Sequence, residues 1–87
     1  MSERHTHYRD LAREKRHEIL HSLATLAIDI VTRHPNILER SLLEVMVYRH
    51  EYGYVAVLGL HLAVKSGSIT ADDDGYNRFY KLAIDTE

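Results

Sequence analysis

The segment from Tyr52 to Val64, YGYVAVLGLHLAV, decides the fold class that the sequence predicts. It carries no formal charge, and His61 is its only strongly polar side chain. At about 100° per residue its apolar side chains cover every side of a helix, which predicts a helix surrounded by other elements. A membrane span needs about 20 apolar residues, and the charged Glu51 and Lys65 bound this shorter segment. We therefore predict a central, buried helix.

Small residues recur every three or four positions in this segment, at Gly53, Ala56, Gly59 and Ala63. They would let another backbone approach the helix closely. A glycine inside a helix costs about 1 kcal/mol, and close packing is the ordinary compensation. The alternative is a pair of short strands, because Tyr and Val favour strands and Gly53 could mark a turn.

Two helices are predicted before the central one. The first runs from about Thr6 to Arg33, with residues 1–6 frayed, because one face collects apolar side chains at helical spacing: Ala12, Ile19, Leu23, Leu26 and Ile30. Pro35 ends it. Asn36-x-x-Glu39 is typical of a capping box that opens the second helix, and Ser41-x-x-Glu44 is the alternative start. The sequence leaves open whether this helix continues through Gly53.

A fourth helix is predicted at the C-terminal end. Lys65 followed by Gly67 is typical of a helix stop. Thr70 then caps the last helix, and Asp72, Asp73 and Asp74 lie in its first turn, where negative charge complements the helix dipole; its apolar face would hold Tyr76, Phe79, Tyr80 and Ala83. The expected fold is all-α, a compact bundle of three to four helices forming one domain over residues 1–87.

Composition restricts the function mainly by exclusion. The chain has 87 residues, no cysteine and a formal net charge of −2. Disulfides and thiolate metal sites are excluded, and no overall positive charge favours nucleic acid or an anionic membrane. The first ten residues, MSERHTHYRD, lack the apolar region of a signal peptide, so we expect a cytoplasmic protein.

One short motif suggests metal chemistry. His17-Glu18-Ile19-Leu20-His21 matches H-E-x-x-H, the pattern that two histidines and a glutamate form in zinc proteases. The resemblance to that family covers these five residues alone. His17 and His21 fall on the polar face of the first helix, where water would flood a catalytic site. We therefore predict no enzyme and no cofactor, and keep a zinc-binding protein through His17 and His21 as the second alternative.

A cluster of tyrosines and a histidine around the small-residue stretch is the favoured contact surface. Aromatic side chains of this kind form binding hot spots or ligand pockets. The predicted partner-binding residues are Tyr48, His50, Tyr52, Gly53, Tyr54, Ala56 and Gly59. His61 is expected to be a core histidine rather than a catalyst.

The predicted function is a small, non-catalytic protein-binding module: a regulator, inhibitor or adaptor that self-associates or binds another protein. A phage or mobile-element accessory protein acting on a host complex is one form of such a module. The reason for this prediction is that the chain has more apolar surface than a small bundle can bury internally, so some of it should contact another protein. The first alternative is a nucleic-acid binder that uses a helix face formed by Arg9, Arg13 and Arg16, although Asp10 and Glu14 interrupt it.

Overall fold

The computed structural model describes residues 7–83, which form three helices and a three-stranded sheet. The helices are α1 (Arg13–Arg33), α2 (Glu39–Arg49) and α3 (Ala56–Lys65), and the strands are β1 (Ile37–Leu38), β2 (Ile69–Asp73) and β3 (Arg78–Leu82). Two short 3₁₀ turns, Tyr8–Asp10 and Gly53–Val55, precede α1 and α3. The fold is mixed α and β, so the prediction of an all-α bundle was wrong.

The sheet joins the middle of the chain to its C-terminal part. Its strand order is β1-β3-β2 and both pairings are antiparallel. Tyr80 in the central strand lies opposite Ile37 on one side and Ala71 on the other. The backbone N–H of Asn36 donates to the carbonyl oxygen of Tyr80 at 3.0 Å, which fixes the register of the two-residue strand β1.

The predicted fourth helix is a β-hairpin, and the aspartates are the reason. The Asp73 carboxylate accepts the Gly75 N–H at 3.0 Å, and the Asp74 carboxylate accepts the N–H groups of Tyr76 and Asn77 at 2.9 and 2.8 Å. These bonds close a turn instead of capping a helix. Gly75 has a φ of 97°, which a continuing helix would not allow.

Ion pairs across the hairpin stabilise its pairing. Lys81 Nζ lies 3.0 Å from an Asp72 carboxylate oxygen on the facing strand. Arg78 lies 3.7 Å from Asp73, its direct partner in the register. Opposite charges at such cross-strand positions are favourable in a sheet, whereas they would be distant on one helix.

The first helix is shorter than predicted. α1 begins at Arg13 rather than near Thr6, because Leu11 and Ala12 are extended, with ψ angles of 158° and 154°. The predicted fraying of residues 1–6 lies outside the described part of the chain. α1 ends at Arg33, as Pro35 predicted.

The capping box predicted at Asn36 is not present. Asn36 has a φ of 66°, in the left-handed region, and leads into strand β1. α2 starts at Glu39 with no side-chain cap bond from Leu38. It ends at Arg49, so no helix continues through Gly53.

The core lies between α1 and α3, with α2 and the sheet closing its other sides. Gly59 is the point of closest approach, because a β-carbon added there would lie 2.3 Å from the Leu23 β-carbon. The small residues of the central segment therefore do let another backbone approach, and that backbone is α1. The largest fully buried side chains are Leu23, Val31, Leu42, Met46, Leu60 and Ile69.

α3 is not surrounded on all sides as its sequence predicted. Its buried residues face α1, but Val57 is 49% exposed and Leu58 is 45% exposed. A hairpin stands where the predicted fourth helix would have packed, and one face of α3 stays uncovered. No helix within residues 7–83 is long and apolar enough to cross a bilayer.

α2, α3 and the hairpin follow one another along the chain. The two helices are joined by a short segment that contains Gly53. The second strand of the hairpin pairs with the short strand before α2. The described elements therefore run α1-β1-α2-α3-β2-β3, with α3 directly before the hairpin.

Candidate protein-interaction surface

The exposed side of α3 forms a continuous surface, which we call the α3 face. Helical spacing places Ala56, Gly59, Leu60 and Ala63 against the core, so the residues between them point outward. The α3 face consists of Tyr54, Val57, Leu58, His61 and Lys65, all exposed. The prediction that His61 is a core histidine was therefore wrong. The α3 face is apolar at the start of the helix and polar or cationic toward its end.

A cleft of about 260 Å³ borders this face, between α3 and the hairpin. His61, Val64 and Lys65 line it from the helix, and Ala71, Arg78 and Tyr80 line it from the strands. The Tyr80 hydroxyl donates to the Glu39 carboxylate at 3.0 Å. Burial, and then this hydrogen bond with Glu39, raise the pKa of Tyr80, which stays a neutral donor.

Two cationic side chains line the cleft, Lys65 and Arg78. The hydrogen bond with Tyr80 and the nearby charge of Glu39 raise the pKa of Arg78, so its guanidinium stays charged. Asp73 lies 3.7 Å from that guanidinium. Within residues 7–83 no carboxylate lies in ion-pair range of Lys65. The cleft therefore has a cationic side chain on each wall, whereas the start of the α3 face is apolar.

The outer side of α2 forms a second exposed apolar stripe. Val47 is 54% exposed and Tyr48 is 88% exposed. Leu43 lies beside them on the same face, between Arg40 and Glu44. Spacing of three to four residues produces this stripe, since Leu42 and Met46 take the buried positions. Tyr48, predicted to belong to the tyrosine cluster, lies here instead.

The structure gathers the remaining predicted aromatic residues at the turn before α3. Tyr52 and Tyr54 have ring centres 6.0 Å apart. Tyr8, which the sequence analysis did not include, packs edge-on against Tyr52 at 6.5 Å, and its backbone N–H donates to the Tyr54 hydroxyl at 2.8 Å. His7 contacts Tyr54 at 5.3 Å. These contacts pack the start of the described chain against the turn before α3.

The signal that could have identified Tyr8 is its position. It is an aromatic residue just outside a charged helix, followed by Leu11 in the same short segment. Both are partly buried and pack against the core cluster. A break in the helix between them and Arg13 is needed to bring them there, and no proline or glycine marks that break in the sequence.

His50 joins α2 to α1 and to the following turn. Its Nδ1 accepts the backbone N–H of Tyr52 at 2.9 Å, and its Nε2 lies 3.0 Å from the Ser22 hydroxyl oxygen. Because Nδ1 accepts, the proton of a neutral ring lies on Nε2, which donates to Ser22. His50 is a structural connector in this arrangement.

Three predicted contact residues lie inside the fold. Gly53, Ala56 and Gly59 are buried, and a β-carbon on Gly53 would lie 2.4 Å from the Val47 α-carbon. Their small size serves the packing of α3 and its turn against α1 and α2. None of them belongs to the α3 face.

The residues of the two alternative functions are placed as follows. His17 and His21 are exposed on α1 with ring centres 4.9 Å apart. No group of three or more His, Cys, Asp or Glu within the described residues could hold a metal ion. Arg9 lies in the 3₁₀ turn, Arg13 begins α1 beyond the extended residues, and Arg16 is half-buried. The helical spacing that united the arginines on one face is therefore broken between Arg9 and Arg13.

Comparison with known proteins gives no relative. No family model matches the chain, no curated protein matches it, and no solved structure matches it.

Proposed function

We propose that this domain is a non-catalytic protein-binding module whose contact surface is the α3 face. The observation that supports the proposal most is the exposure of Val57 and Leu58, adjacent on the first turns of α3. The order of two helices followed by a hairpin resembles a helix-turn-helix with a hairpin after it, and the second helix of a helix-turn-helix contacts the ligand. Here that helix presents aliphatic side chains, which favour a protein surface over nucleic acid.

The chemistry of DNA recognition disfavours the nucleic-acid alternative. A recognition helix contacts base edges through residues of its N-terminal part, and Arg, Lys, Asn and Gln are the usual readers. α3 carries Val57 and Leu58 at those positions, and its cation, Lys65, is its last residue. The hairpin carries three aspartates, Asp72, Asp73 and Asp74, against two cations, Arg78 and Lys81, and this excess of negative charge disfavours phosphates.

The apolar end of the α3 face is large enough to contribute usefully to binding. Fully burying a Val or Leu side chain contributes about 1.5–3 kcal/mol. About half of each side chain is still exposed at Val57 and Leu58, so covering both contributes roughly 1.5–3 kcal/mol in total. That corresponds to roughly a 10- to 150-fold gain in affinity. The partner in this proposal is a second copy of the chain or another protein.

Native mass spectrometry of the chain, purified gently from its own cells, tests the proposal. The variant Val57→Glu places a charge in the apolar end of the α3 face. His34→Glu adds the same group at an exposed position after α1 and serves as the control. We expect a protein complex with the parent chain and with the control, and its loss with Val57→Glu. A complex that survives Val57→Glu, or nucleic acid as the bound species, would contradict the proposal.

A further inference from the structure

The first turns of α1 project from the core, and a pair of exposed histidines lies where these turns join it. The first buried residue of α1 is Ile19, so the turns from Arg13 to Glu18 add no buried side chain to the core. His17 and His21 are four residues apart, lie on the same face and are both exposed. Their rings lie side by side on an open helix surface.

The spacing of the two rings matches what a zinc ion requires. With Zn–N bonds of about 2.0–2.1 Å, ring centres about 1.1 Å beyond the nitrogens and a tetrahedral angle of about 109°, two bound imidazoles have centres about 5.2 Å apart. The observed separation is 4.9 Å. Binding would therefore need little change in the separation of the two rings.

One chain supplies only half of a closed site. Structural zinc takes four protein ligands in a tetrahedron, and the described residues offer no third ligand to this pair. Glu14 and Glu18 lie beside the histidines on α1 and add negative charge, while Arg13 opposes them. Glu18 also lies 3.7 Å from Lys15. The ligands that complete the tetrahedron have to come from outside the chain.

We infer that His17 and His21 form half of a zinc site that a second copy of this chain completes. Two α1 helices crossing antiparallel about a two-fold axis would bring each His17 near the partner's His21, since a two-fold interface uses the same residues on both sides. Four imidazoles would then bind one ion at a contact between the two projecting helices. This surface lies on α1 and is separate from the α3 face.

Sedimentation velocity of the full chain, titrated with zinc chloride alone, tests the inference. We expect the sedimenting mass at least to double at one zinc per two chains, and EDTA to reverse the change. His17→Ala and His21→Ala should each abolish the response. His34→Ala, which removes an exposed histidine outside the pair, should keep it.

Circular dichroism of each variant in the absence of metal shows whether the fold is retained, and we expect it to be, because both histidines are exposed. Zinc that binds one per chain without any increase in mass would overturn the inference, because water would then complete the coordination of the ion. An unchanged mass, or a response that survives His17→Ala, would overturn it as well. None of these results depends on Val57, so they leave the proposed function of the α3 face standing.

Discussion

Replacing Gly59 with alanine tests the contact that sets the distance between α1 and α3. The new β-carbon would lie 2.3 Å from the Leu23 β-carbon and 3.2 Å from the Leu23 carbonyl carbon. Carbon atoms in favourable contact are about 3.5–4.0 Å apart. Neither neighbour can rotate away, because a β-carbon is fixed to its backbone. The two helices would have to separate by about 1 Å or more.

Two opposing effects set the change in the free energy of unfolding that Gly59→Ala causes. Alanine is favoured over glycine inside a helix by about 1 kcal/mol. Overpacking a core costs about 1–3 kcal/mol and occasionally more, and a clash with fixed atoms falls at the upper end. We expect a net loss of about 2 kcal/mol in the free energy of unfolding. For a chain of this size that lowers the melting temperature by roughly 8–16 °C.

Urea denaturation and thermal melting of Gly59→Ala measure this loss directly. Val57→Ala, on the exposed side of the same helix, is the matched control and should stay within about 0.5 kcal/mol of the parent. If Gly59→Ala were as stable as the parent, or more stable, then α1 does not pack against α3 at Gly59 and the arrangement of the core is wrong.

Three further predictions concern individual hydrogen bonds of Tyr80, Asp74 and His50. Tyr80→Phe removes the donor to Glu39 and should cost about 1–2 kcal/mol in urea denaturation; no change would mean that the buried hydroxyl has no effective partner. The backbone N–H groups of Asn77 and then Tyr76 hold the pKa of Asp74 below its ordinary value of 3.8. The stabilisation from Asp74 is therefore complete above about pH 4 and is lost as pH falls through the lowered pKa. Asp74→Asn should make stability less dependent on pH below about 4, and an identical pH profile would argue against this turn. His50→Ala should accelerate hydrogen exchange of the Tyr52 amide, which donates to His50 Nδ1; His34→Ala should not, and equal exchange in both would show that the bond is absent.

The helical part of the fold could be predicted because its signals are local. The apolar spacing from Ile19 to Ile30 and the stop at Lys65–Gly67 each lie within a few turns of sequence. α1 and α3 indeed end at Arg33 and Lys65. The small residues of the central segment also indicated a close backbone approach, and Gly59 makes one to α1.

The sheet could not be predicted in the same way, because long-range pairing creates it. Strand β1 has two residues and exists through contacts with Phe79 and Tyr80, far along the chain. In the hairpin, β2 buries only the side chain of Ile69, and β3 buries only that of Tyr80. The alternation of apolar and polar residues that identifies a strand in a sequence is therefore weak. Asp74-Gly75 was the available turn signal, but a run of aspartates fits the first turn of a helix equally well.

For a related reason, the sequence did not show which of the predicted contact residues would be exposed. Sequence spacing identified apolar and small residues near the turn before α3, but it did not show which side α1 would cover. The small residues Gly53, Ala56 and Gly59 are buried, and the aliphatic Val57 and Leu58 between them are exposed. Tertiary packing, rather than residue type, decides which face remains exposed.

Site-specific photo-crosslinking in the protein's own cells tests the role of the α3 face most directly. A benzophenone amino acid replaces Leu58 in one variant and His34 in another, and mass spectrometry identifies what each captures. We predict that position 58 captures a protein, either a second copy or another chain, and that position 34 does not. Adding Val57→Glu should abolish that product. Capture of nucleic acid at position 58, or the same products from both positions, would contradict the assignment of α3 as a protein-binding surface.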